Sequence, residues 1–120
     1  MASLGMGGPY QFTSSEIDRV VTKTSPGNYA LGQMNEQNTF IVRYVGRSDT
    51  NLNQELKARL PTGLPQFKFS YAASPKAAFE KECQNYHDFG ESESLNNEIH
   101  PDRPDNTNWV CPSCTIFSEN

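Results

Sequence analysis

Positive charge is scarce in this chain. Its 120 residues hold 10 Lys and Arg against 14 Asp and Glu, a net charge of −4. Attachment to nucleic acid by bulk charge needs clustered Lys and Arg, so the balance argues against that mode while leaving a local basic groove open. Long apolar runs are missing, and no stretch approaches the ~20 residues of a membrane-spanning helix. The opening MASLGMGGPYQF has neither the basic start nor the apolar stretch of a secretory signal, so the expectation is an intracellular, cytoplasmic protein with no membrane partner. Cysteine is sparse and odd in number, three in all, which speaks against a complete disulfide framework. In a reducing compartment the pair Cys111 and Cys114, in CPSC, reads as metal or redox chemistry. Internal repeats are absent. The length suits one domain with a small core.

What is present falls into short, well-punctuated segments. Residues 1–12 are glycine-rich and read as a flexible N-terminus. Thr13 and Glu16 have capping-box spacing, and Ile17, Val20 and Val21 make one apolar stripe, which predicts a helix over about 14–23. YALGQ and TFIVRYVG flank the polar MNEQN and read as an antiparallel hairpin. Strict alternation in its second strand puts Phe40, Val42 and Tyr44 on one face and Ile41, Arg43 and Val45 on the other. Asp49 or Thr50 is the expected cap of a helix carrying Leu52, Leu56 and Leu60, stopped by Pro61. FKFSYAA alternates as a third strand burying Phe67, Phe69 and Tyr71. The best-signalled element is SPKAAFEKECQNYHDFG, with Ser74 as N-cap, Pro75 in the first turn and Gly90 as C-cap. From about residue 91 the chain is polar and rich in Pro, Asn and Asp, yet carries Trp109 and the CxxC. The fold class expected is a small α/β domain: a three-stranded antiparallel sheet flanked by helices, spanning 13–114, with 115–120 as a terminal end.

One carboxylate on the last helix is out of place. Phe79, Cys83 and Tyr86 fall at i, i+4 and i+7 and define its buried stripe, and Glu82 joins that stripe. A carboxylate there costs free energy unless it is paired or bound to a cation. Either Glu82 reaches the edge of the stripe and water, or it serves metal binding or acid–base chemistry. One turn of the same helix aligns Cys83 with His87 at i, i+4. Those two with Cys111 and Cys114 would make a Cys₃His zinc site of the closed, structural kind, tying the tail from about 91 to the helix. The alternatives are a buried Cys83 with an unrelated His87, a redox CxxC, and His100 as the fourth ligand in place of His87.

Several stretches, taken as a set, resemble the GIY-YIG endonuclease superfamily. GNYALG at 27–32 resembles its first signature and RYVGRS at 43–48 its second. VGRSDTNLNQELKARL is similar to the helix that follows. AAFEKE and LNNEIHP are similar to the helix bearing the family glutamate and to the downstream asparagine. With IHPDRP and NWVCPSC the whole resembles a small bacterial branch of these nuclease-like domains, over roughly residues 25–114. The resemblance implies hydrolysis of a phosphodiester in DNA with one Mg²⁺ or Mn²⁺ held by Glu82. It implies that Tyr29 or Tyr44 positions or deprotonates the attacking water, that an arginine neutralises the phosphate and that Asn97 orients the site. One departure stands out: where the family carries that arginine, NLNQEL places Glu55, the wrong sign for facing a phosphate. Arg47, just after YVG, or Arg59, one turn beyond Glu55, is the expected substitute.

Two functions of different classes follow. One is a metal-dependent DNA endonuclease. The other is a catalytically weakened nuclease-like fold that binds nucleic acid or a protein partner, the partner supplying specificity. A third, plainer reading is a zinc-stabilised module with no nucleic-acid role. Whether Arg43, Arg47, Lys57 and Arg59 form one basic patch around the tyrosines separates the nucleic-acid readings from the rest.

Overall fold

The computed structural model of the chain describes residues 5–60, 63–89, 95, 109, 111 and 112. Seven elements follow one another: β1 (Gly7–Gln11), α1 (Ser14–Val20), β2 (Gly27–Met34), β3 (Phe40–Ser48), α2 (Leu52–Ala58), β4 (Gln66–Tyr71) and α3 (Pro75–Asp88). The strands form one antiparallel sheet in the order β1-β4-β2-β3, with α1 and α2 packed on one face and α3 on the other. The α/β class and the antiparallel hairpin are as expected. The sheet has four strands rather than three, because residues 7–11, in the stretch read as a loose terminus, pair with β4. Tyr10 gives that strand its anchor, with its ring 5.6 Å from Phe67 and 5.9 Å from Phe69.

The helix starts follow local chemistry. Thr13 Oγ1 accepts from Glu16 N and Ser74 Oγ from Ala77 N, each satisfying a first-turn N–H that the helix itself cannot. For α2 the cap is Asn51, not Asp49 or Thr50: Asn51 Oδ1 accepts from Gln54 N. The reason lies in the turn before it, where Ser48 Oγ accepts from both Thr50 N and Asn51 N and delays the helix. The expected C-cap Gly90 lies outside the described residues.

On the α1/α2 face a core of Ile17, Val21, Tyr29, Leu31, Leu52, Leu56 and Phe67 is buried, with Tyr44, Leu60, Phe69 and Tyr71 packed around it. On the α3 face Ala30, Val45, Tyr86 and Leu95 bury together, with Phe40 and Val42 against them. Val42 and Tyr44 therefore lie on opposite faces, which plain alternation does not allow. The cause is a β-bulge: Leu31 pairs with Tyr44 and Gly32 with Val42, so Arg43 is the extra residue. From there the two-residue period restarts one step out of phase. A side chain at Gly32 would meet Ile41 O, which fixes the residue opposite the bulge as glycine.

Gly46 plays the matching part nearer the end of β3. It pairs with Tyr29, and a Cβ at position 46 would collide with Tyr29 Cζ and Oη. The Tyr29 ring occupies the place where a side chain of residue 46 would be. Gly46→Ala is expected to destabilise the fold by about 1–3 kcal/mol through overpacking. Urea unfolding measures it, and an unchanged midpoint would contradict the contact.

Candidate active site

The site sits at the outer edge of the sheet, where β3 passes Gly46. Side chains of β2 and β3 alternate between faces, so Tyr29 and Tyr44 project towards α2 while Asn28 and Arg47 project towards α3. Because β3 is an edge strand, groups from both faces reach one opening. That opening is a pocket of about 420 Å³ lined by Gly46, Arg47, Ser48, Asp49, Thr50, Glu55, Arg59 and Glu82.

On the α2 side the buried Tyr29 ring stacks on Tyr44, with centroids 6.2 Å apart and planes 21° from parallel. Tyr29 Oη donates to Glu55 Oε2 at 3.0 Å and accepts from Arg59 Nε at 3.0 Å. Arg59 Nε also donates to Glu55 Oε2 at 3.1 Å, a bond between residues one helical turn apart. Burial, reinforced by the Glu55 carboxylate, pushes the Tyr29 hydroxyl far above its ordinary range. Burial likewise raises Tyr44. Tyr29 is 0% exposed, and its hydroxyl bridges Glu55 and Arg59.

On the α3 side stands Glu82. It is buried, and its Oε1 accepts from Arg47 Nη1 at 2.6 Å. Arg47 Nε donates to Asp49 at 2.8 Å, and its guanidinium lies 5.1 Å from the centre of the Phe79 ring. Burial still pushes the Glu82 carboxyl up to about 7, against the pull of Arg47 and with Asp49 and Glu55 adding to the rise. Glu82 Oε2 makes no hydrogen bond among the described residues, and Glu82 lines the pocket.

Of the residues expected in catalysis, Tyr29, Tyr44, Arg47 and Glu82 come together here. Asn97 lies outside the described residues. The expected basic patch is divided: Arg47 and Arg59 line the pocket, but Lys57 pairs with Asp18 of α1 at 2.6 Å and faces a different groove. Three carboxylates and two arginines line the pocket. Asp49 is the site residue that the sequence reading missed, since it was read only as a helix cap. Its spacing from Arg47, two residues along the exit of β3, is the signal that identifies the pair.

The expected zinc ligands are only partly in view. Cys83 and Cys111 are both buried and pack in one cluster with Phe79 and Trp109. Burial raises the Cys83 thiol well above its usual range, and the Cys111 contact raises it further. Cys114 and His100 lie outside the described residues. The His87 ring meets Tyr86 edge-on, with centroids 5.4 Å apart. Among the described residues no group of three metal-binding side chains converges. Nor is any described helix long and apolar enough to cross a membrane.

Comparison of the chain with protein-family models, with curated proteins and with solved structures returns no match.

The Arg47–Glu82 pair yields a prediction. Arg47→Ala leaves a buried carboxylate without its partner and is expected to cost about 3–5 kcal/mol in stability. The double variant Arg47→Ala/Glu82→Gln should recover a large part of that loss. Additive losses in a urea double-mutant cycle would contradict the coupling.

Proposed function

We propose that this chain is a metal-dependent endonuclease-like domain that hydrolyses phosphodiester bonds in DNA. The observation that carries the reading is the meeting, at one edge-strand opening, of two arginines and a buried carboxylate drawn from both faces of the sheet, with a tyrosine pair packed behind Arg59. These groups were singled out by the resemblance to GIY-YIG nucleases, and they lie far apart along the chain.

Glu82 fits the divalent ion that the resemblance implies. It lines the pocket and supplies a hard carboxylate oxygen, Oε2, that accepts no hydrogen bond among the described residues. Bound there, Mg²⁺ or Mn²⁺ supplies charge stabilisation at the phosphate and the leaving oxygen. Arg47 holds Glu82 in place against its burial. Tyr29 and Glu55 orient Arg59, and the Tyr44 ring carries its guanidinium, whose carbon lies 5.2 Å from the ring centre. Tyr44, half-buried where Tyr29 is fully so, is the tyrosine nearer to water and takes the role of orienting it.

A second reading is favoured by the pocket's charge. Three carboxylates face two arginines, and Glu55 stands where an arginine would oppose phosphate charge. On that reading the site is catalytically weakened, and the domain binds nucleic acid or a protein partner. Zinc has a structural role in both readings, held by Cys83 and Cys111, which share one packed cluster, with His87 and Cys114 completing the set.

Wild-type protein is expected to nick supercoiled plasmid or branched DNA with Mg²⁺ or Mn²⁺, and Glu82→Ala to remove the cleavage with the fold retained. Cleavage by Glu82→Ala at the wild-type level would overturn the role of Glu82. A silent wild type beside an active Glu55→Arg would favour the weakened site. Separately, Cys111→Ser is expected to release zinc and lower stability by several kcal/mol, on the order of what structural zinc contributes to small domains. Zinc-free purified wild type with an unchanged melting temperature in the variant would remove the zinc site.

A further inference from the structure

The two arginines of the pocket differ in what their nitrogens already do. Arg47 is used on two sides, Nε on Asp49 at 2.8 Å and Nη1 on Glu82 at 2.6 Å, with the Phe79 ring against its plane. Its side chain keeps 13% exposure. Turning it towards a ligand would strip Glu82 of its partner in a buried setting. Arg59 is committed through a single atom: only Nε donates, to Tyr29 Oη and Glu55 Oε2. Among the described residues its Nη1 and Nη2 make no hydrogen bond, and its side chain is 44% exposed at the pocket wall. The Tyr44 ring beneath the guanidinium restricts its tilt.

A guanidinium fastened at Nε and supported on a ring face presents its terminal nitrogens as a preset fork. That fork matches two oxygens of one phosphate, and little side-chain freedom remains to be lost on binding. Glu55, the wrong sign when read as a phosphate contact, has a different use here. It accepts from Arg59 Nε and from Tyr29, and so holds the fork outward.

We propose that Arg59, and not Arg47, grips a phosphodiester in this pocket, and that Glu55 is the positioning residue that holds its fork; the assignment rests on the phosphodiester reading above. Arg47 belongs to Glu82.

The test is NMR of the arginine Nε–Hε signals during titration with the dinucleoside monophosphate thymidylyl-thymidine, with no divalent metal added. The Arg59 signal is identified by its loss in Arg59→Lys. The expected result is a saturable shift of the Arg59 signal with the Arg47 signal stationary. Arg59→Lys should weaken binding about tenfold, since a point charge replaces a fork. Glu55→Ala should displace the Arg59 signal in the free protein and speed its hydrogen exchange, while Glu55→Gln, which retains an acceptor, should restore both. A shifting Arg47 with a stationary Arg59, or no shift in either, overturns the assignment. The hydrolytic reading stands or falls apart from this. Plasmid cleavage lost in Glu82→Ala beside a stationary Arg59 sinks the Arg59 role alone. A saturable Arg59 shift in a protein that never cleaves DNA supports that role and ends the hydrolytic reading.

Discussion

The Tyr29 ring lying over Gly46 is the contact from which the rest of the site follows. A tyrosine on a central strand fills the space that a side chain on the neighbouring edge strand would occupy. Its hydroxyl is thereby carried to the end of α2, where it bonds Glu55 and Arg59. At the same edge of the sheet Arg47 and Glu82, from the opposite face, line the pocket that Glu55 and Arg59 line. A larger residue at position 46 would displace the tyrosine and crowd the opening at once.

Much of this was legible in the sequence where the signal is local. Ser74 and Pro75 announce α3, Thr13 announces α1, and the apolar stripe of α3 already marked Glu82 as a carboxylate out of place. The parts that were not legible depend on contacts distant in sequence. Alternation mis-sorted Val42 and Tyr44 because a bulge adds Arg43 to β3, and a bulge leaves little mark on periodicity. β1 was hidden in a glycine-rich stretch, since its place is set by Tyr10 meeting Phe67 and Phe69, not by its own propensity. The cap of α2 moved to Asn51 because Ser48 Oγ claims the N–H groups of Thr50 and of Asn51 itself. Arg47 as the partner of Glu82 joins residues 35 apart, a pairing that neither helix nor strand spacing encodes.

Electrostatically the pocket is a set of charges that largely answer one another. Asp49 and Glu82 hold Arg47, and Glu55 with Tyr29 holds Arg59 at one nitrogen. Such pairing keeps buried charges tolerable in an acidic protein and leaves specific atoms facing the opening: a Glu82 oxygen and the Arg59 fork. That division suits a ligand carrying both a cation and a phosphate, each meeting its own partner. Glu55, read from sequence as damage to the site, becomes part of its scaffold on this view.

The central claim is that Glu82 presents its carboxylate to a divalent cation at the Gly46 opening. Paramagnetic broadening by Mn²⁺ tests it most directly. The account predicts saturable loss of backbone amide signals for residues 46–50 and around Glu82, abolished in Glu82→Gln. Broadening that avoids these residues, or that persists unchanged in Glu82→Gln, would contradict it.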